Sequence, residues 1–125
     1  MNGLELHYIG IPKNVKIGNF WFDVQVVDKD HAEAGGFLGS TCPSEQRILI
    51  GAGQKPQNLA DTFIHEVMHG MCWAREIGDR SEHKLEEEDY VTHFAHAICQ
   101  FWQDNPEAVK WWARINATQP ELDSE

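Results

Sequence analysis

The texture of this chain changes once, and that change limits the fold more than any single residue does. Nearly all of its ten glycines lie before residue 54, among segments in which apolar residues alternate or run briefly between turn residues. Beyond that point Gly is almost absent and apolar residues recur at helical spacing. Strand-like segments followed by helix-like ones predict an α+β fold, not alternating βαβ units. A length of 125 residues suits one domain with one core, and five Trp, six Phe and two Tyr supply large side chains for it. The domain is expected to span residues 1–117, with 118–125 as a loose acidic tail.

Phe20-Trp21-Phe22-Asp23-Val24-Gln25-Val26-Val27 combines aromatic and β-branched residues with partial alternation and reads as a strand ending at Asp28-Lys29-Asp30. Arg47-Ile48-Leu49-Ile50, closed by Gly51-Ala52-Gly53, reads as a buried inner strand. Ala34 to Thr41 fits a weaker edge strand, Ser44-Glu45-Gln46 a turn, and Leu6 to Ile11 a further possible strand. The expectation is a small, mostly antiparallel sheet of about three strands. Three helices should follow. The first runs from Leu59 to Ile77 with Asn58 as N-cap and Gly78 as stop, and the second from Ser81 or Leu85 to Trp102. The third has Asn105 as N-cap, Pro106 at N1 and its end near Ala117.

A net charge of -10, with ten Lys and Arg scattered along the chain, argues against direct binding to nucleic acid. Three cysteines, Cys42, Cys72 and Cys99, form no CxxC pair and leave an odd thiol, which suits a reducing, cytoplasmic compartment. The start Met1-Asn2-Gly3-Leu4-Glu5 has no leader pattern, and no run approaches the roughly 18 apolar residues of a membrane span, so no membrane association is expected.

Within the first helix stands His65-Glu66-Val67-Met68-His69. Histidines four residues apart project from one helix face and can meet one ion, while Glu66, about 100° round the helix, can act on a metal-bound water. Apolar Phe63, Ile64, Val67 and Met68 surround the motif. The plainer alternative is a helix carrying two surface histidines and a surface glutamate. A catalytic Zn2+ needs a third protein ligand. A histidine in the same segment is excluded, because Cys72 and Arg75 hold the positions at which metzincins place Gly and His. A carboxylate from the second helix remains. If Val91, Phe94, Ala95, Ile98 and Trp102 form its buried stripe, Glu87 lies near the stripe's centre, Glu88 on its flank and Glu86 away from it. Helical geometry leaves Glu87 and Glu88 both open. Asp61, one turn before His65, is positioned to orient it or to complement the helix dipole. Tyr90, His93 and His96 are the nearby candidates for stabilising an oxyanion, the two histidines falling on the polar side. Trp73, Trp102, Trp111 and Trp112 are expected in the core, with one ring of the Trp111-Trp112 pair a candidate for exposure, and Cys72 and Cys99 are expected as small buried residues.

With its HExxH helix followed by Glu88-x-x-Val91-x-x-Phe94-Ala95, the chain resembles the compact gluzincins of the ImmA/IrrE-like kind and the related small phage- or prophage-encoded metallopeptidases, over roughly residues 20 to 102. The resemblance implies a minimal zincin-like fold, with Zn2+ held by His65, His69 and Glu88, the last preferred to Glu87 by that match. It also implies that Glu66 assists attack of zinc-bound water on a peptide bond, and that an edge strand over Gly35 to Thr41 pairs with an extended peptide or protein substrate. Two other functions fit the same residues: a catalytically silent zinc-binding adaptor or inhibitor, and a helical interaction module presenting Trp111 and Trp112. Oligomeric state is not legible in the sequence.

Overall fold

The computed structural model describes residues 5–28, 38–76 and 87–118. Among them, strands β1 (Asn14–Ile17), β2 (Phe20–Val27), β3 (Gly39–Cys42) and β4 (Arg47–Gly51) precede helices α1 (Pro56–Arg75), α2 (Glu87–Asp104) and α3 (Pro106–Asn116). The α+β order is as expected, but the sheet differs. It has four strands in the order β1-β2-β4-β3, and it is mixed: β1–β2 and β3–β4 pair antiparallel, β2–β4 parallel.

The additional strand is β1. Only four residues long, with Val15 and Ile17 buried, it runs through the two-residue Gly18-Asn19 loop into β2, a hairpin connection. The segment Leu6 to Ile11 forms no strand; Leu6–Tyr8 is a 3-10 turn instead. The parallel pairing arises because β3 lies at the sheet edge. A 3-10 turn at Pro43–Glu45, with Gln46 left-handed at φ 53°, returns the chain antiparallel and inserts β4 between β3 and β2. Residues 34–37 of the expected edge strand lie outside the described residues.

Alternation gives the sheet one apolar face, built from Val15, Ile17, Phe22, Val24, Ile48 and Ile50. Against it pack Leu59, Phe63, Val67 and Met71 of α1, Ala97 and Phe101 of α2, and Ala108, Trp111 and Ile115 of α3. On the other face Trp21, Asp23 and Gln25 are exposed. Helix α1 sits close to the sheet at Gly70, where an added Cβ would lie 2.7 Å from Ile17 Cδ1. The helix begins at Pro56, three residues before the expected start, because proline at N1 loses no hydrogen bond there, and it closes at a left-handed Glu76 (φ 58°). Gly78 and residues 81–86 lie outside the described residues.

The buried stripe of α2 is not the expected one. Val91, Ile98 and Trp102 are 54%, 37% and 44% exposed and Ala95 is exposed, whereas Ala97 and Phe101 are buried and Phe94 is half-buried. The helix carries two apolar stripes, and the structure buries the one passing through small Ala97, which lets α2 approach the core. Of the tryptophans only Trp111 is fully buried; its indole N–H donates to His7 O at 3.1 Å, and half-buried Trp112 donates to Ala60 O at 2.9 Å. Trp73, 39% exposed, packs on Phe20 and Phe22. Cys99 is exposed, not buried, and Cys72 is partly buried with its thiol pushed up by that burial. Among the described residues no helix is long and apolar enough to cross a membrane.

Asn105 stands before Pro106 as expected, but its side chain does not cap α3. It pairs instead with the outer edge of β1: Oδ1 accepts from Lys16 N at 2.8 Å, and Nδ2 donates to Lys16 O at 2.8 Å and to Phe101 O at 3.1 Å. One amide side chain thus imitates one residue of a neighbouring strand on an edge that would otherwise be open. Asn105 is itself buried, so Asn105→Ala strands two backbone groups and is expected to reduce stability by about 1–3 kcal/mol, read from urea unfolding midpoints.

Candidate metal and catalytic site

The outward face of α1 carries Asp61, His65 and His69, all exposed. One turn apart, the two imidazoles meet edge to face, with ring centroids 4.8 Å apart, planes at 74° and Nε2 atoms 3.2 Å apart. Two nitrogen lone pairs repel at that distance unless a proton or a cation lies between them. Two ligands of one tetrahedral zinc, each about 2.0–2.1 Å from the ion, stand about 3.3 Å apart, so the pair fits half of such a site as it is. Among the described residues no hydrogen bond joins Asp61 to His65.

Glu66 turns the other way. It is only 6% exposed and lies under β3, where the Thr41 hydroxyl is 2.5 Å from Oε1 and 3.1 Å from the Glu66 carbonyl oxygen. Gly39, two residues earlier on the same face of the strand, makes room for it. A Cβ there would stand 2.9 Å from Thr62 Cγ2, 3.1 Å from Leu49 O and 3.2 Å from Glu66 Cγ.

Strand pairing determines what β3 offers on its outer side. Gly51 N donates to Leu38 O at 2.8 Å, so Leu38–Gly51 is a hydrogen-bonded pair. Antiparallel alternation then makes Ser40–Leu49 and Cys42–Arg47 hydrogen-bonded pairs, and leaves Gly39 and Thr41 with N–H and C=O pointing outward. Among the described residues nothing caps these groups. Among the described residues the edge above Glu66 is therefore open, whereas the opposite edge is plugged at Lys16 by Asn105.

A buried polar cluster holds the start of β3 against α1. Thr62, one turn before Glu66, donates to Gln54 Oε1 at 2.7 Å, and Gln54 Nε2 donates to Leu38 O at 3.1 Å and Gly51 O at 2.9 Å. Tyr8 OH donates to Gly51 O at 2.8 Å and accepts from Gln54 N at 2.9 Å. Each donor in the cluster meets an acceptor, as buried polar groups must.

Of the expected site residues, then, the structure brings together His65 and His69, while Glu66 on the same helix meets Thr41 instead. Glu88 is exposed on the second residue of α2, and the Glu87 side chain lies outside the described residues. Arg75 Nη2 lies 3.4 Å from His93 Nδ1, and Ile64 shares a cavity with Trp102, so α1 and α2 run antiparallel, with Glu88 at the end of α2 away from the level of His69. Among the described residues no group of three His, Cys, Asp or Glu side chains is placed to hold a metal ion. Tyr90 and His96 are exposed, and His93 is turned to Arg75. Thr41, Gly39, Gln54 and Thr62 were not singled out as site residues from the sequence. Their signal is only the alternation of β3, legible once its register is known.

Two stability measurements check this account. Gly39→Ala pushes a Cβ against the backbone oxygen of Leu49, which cannot yield as a side-chain end can, and is expected to lower stability by about 1–3 kcal/mol. Burial, aided by nearby Glu5 and opposed by the Gln54 backbone donor, holds the Tyr8 hydroxyl above its ordinary pKa of 10.0. Its neutral form is the one the fold favours, so this contribution is complete below pH 10.0 and is lost as pH climbs through the raised value. Wild type should lose stability above about pH 10 more steeply than Tyr8→Phe, and equal slopes would refute the assignment. Comparison of the chain with family models, with curated proteins and with solved structures returns no match.

Proposed function

We propose that this chain is a zinc-dependent hydrolase, a zincin-like metallopeptidase that cleaves peptide bonds in extended substrates. The observation that carries the reading is the convergence of His65 and His69 Nε2 at 3.2 Å on the same helix turn that carries the buried Glu66. Three free cysteines among the described residues fit a cytoplasmic setting.

His65 and His69 would hold the ion; the family resemblance names Glu88 as the third ligand, with Glu87 as the alternative, and Glu88 would reach the pair only if the start of α2 moved toward His69. When bound, Zn2+ supplies a Lewis acid for the scissile carbonyl and lowers the pKa of water. Glu66 is the base: it takes a proton from the attacking water and passes it to the leaving amine nitrogen. The outward N–H and C=O groups of Gly39 and Thr41 are available to pair with a substrate main chain, which would bring an extended segment alongside Glu66.

A second reading rests on the exposed Val91, Ile98 and Trp102 of α2, a stripe suited to a protein partner, and would make the chain a silent zinc-binding adaptor or inhibitor. Metal analysis and one variant separate the two. Purified wild type is expected to hold about one zinc per chain, His65→Ala and His69→Ala none, and Glu88→Ala much less, with Glu87→Ala retaining it. Glu66→Gln should keep its zinc while casein hydrolysis falls by about 100-fold or more. Wild type that takes up no zinc on reconstitution would overturn the hydrolase reading. Zinc-loaded wild type with no more activity than Glu66→Gln would support the adaptor.

A further inference from the structure

Resting on that reading, we infer that Thr41 is a positioning residue for the catalytic base: its hydroxyl holds Glu66 Oε1, so that Oε2 is the oxygen left to exchange the proton. Three observations converge on it. The Thr41 hydroxyl lies 2.5 Å from Oε1, the length of a charge-assisted O–H···O⁻ bond, and 3.1 Å from Glu66 O, and its single proton serves the nearer oxygen, Oε1. Glu66 is 6% exposed, so its carboxylate depends on protein donors where water hardly reaches. Gly39 and the Gln54–Thr62 bond press β3 against this turn of α1, so the hydroxyl is placed by backbone and buried contacts and not by a free rotor.

A carboxylate free to rotate about its Cγ–Cδ bond presents either oxygen, in many orientations, to the water it must deprotonate. Pinning one oxygen leaves the other in a fixed direction, which is the kind of orientation that raises the rate of a step and not the affinity for substrate. Thr41 also presents its own backbone N–H and C=O on the outer edge of β3. The residue that orients the base therefore belongs to the strand that would receive the substrate main chain, and a substrate seated there has its register to Glu66 set through one residue.

Thr41→Val keeps the shape and removes the hydroxyl; Thr41→Ser keeps the hydroxyl. The first readout needs no catalysis. Urea midpoints of metal-free wild type, Thr41→Val, Glu66→Leu and the double variant should be non-additive, the double variant losing less than the two single losses together, and strict additivity would overturn the contact. The second uses zinc-loaded protein and a quenched fluorescent peptide on which wild type is active. Thr41→Val should bind wild-type zinc and lose about 10- to 100-fold in kcat with KM nearly unchanged, and Thr41→Ser should restore most of it. Active wild type with Thr41→Val at the same kcat, or a loss that appears in KM alone, refutes the role of Thr41 and leaves the hydrolase reading standing. Zinc-loaded wild type that cleaves neither casein nor peptide overturns the hydrolase reading and this role with it.

Discussion

Helix α1 reaches the sheet by way of two missing side chains. At Gly70 its own backbone comes down on Ile17 of β1, and at Gly39 the backbone of β3 comes up against Thr62 and Glu66. The contacts lie on opposite edge strands, so the helix crosses the sheet obliquely, its first half over β3 and its last turns over β1. That crossing puts Val67 and Phe63 into the core, Glu66 under β3 and the two histidines on the outside. A side chain at Gly39 would meet the backbone oxygen of Leu49, and the angle between Glu66 and Thr41 would change with it, whereas one at Gly70 would first displace the end of the Ile17 side chain.

The oblique seat is fixed by polar contacts more than by apolar ones, because apolar surfaces slide where hydrogen bonds do not. The Gln54 side chain bonds to Thr62, Leu38 and Gly51 and its backbone N–H to Tyr8, and these tie the N-terminal segment, the ends of β3 and β4 and the second turn of α1 to one residue. In a low-dielectric interior such a cluster tolerates little displacement, since any lost partner leaves a buried group unpaired. Because Thr62 lies one turn before Glu66, the cluster sets the register of the turn that carries Glu66.

Legibility in the sequence followed the strength of the local signal. The helix holding His65 and His69 was evident from their spacing and its apolar flanks, and β2 and β4 from their β-branched and aromatic runs. Asn105-Pro106 marked the start of α3 correctly. β1 was missed because two apolar residues in four make no periodic signal, although the Gly18-Asn19 loop after it is a hairpin turn. The face of α2 was misassigned because Val91, Ala95, Ile98 and Trp102 form as good a stripe as Phe94, Ala97 and Phe101. Only packing against the core, which depends on Ala97 being small, decides between them. Thr41 and Gln54 carried no sequence signal, since their roles come from partners 25 and 46 residues away.

The amide of Asn105 has a consequence at a larger scale than the single molecule. A sheet with two open edges can act as a repeating unit, each copy adding to the last without end, which is the route to fibres. Here Lys16 of the β1 edge is occupied by a side chain of the same molecule, and among the described residues the outward groups of β3 have no partner. Joining two such sheets through β3 would use that edge of both and leave a plug at each end, so growth by strand addition through β3 would stop at two copies.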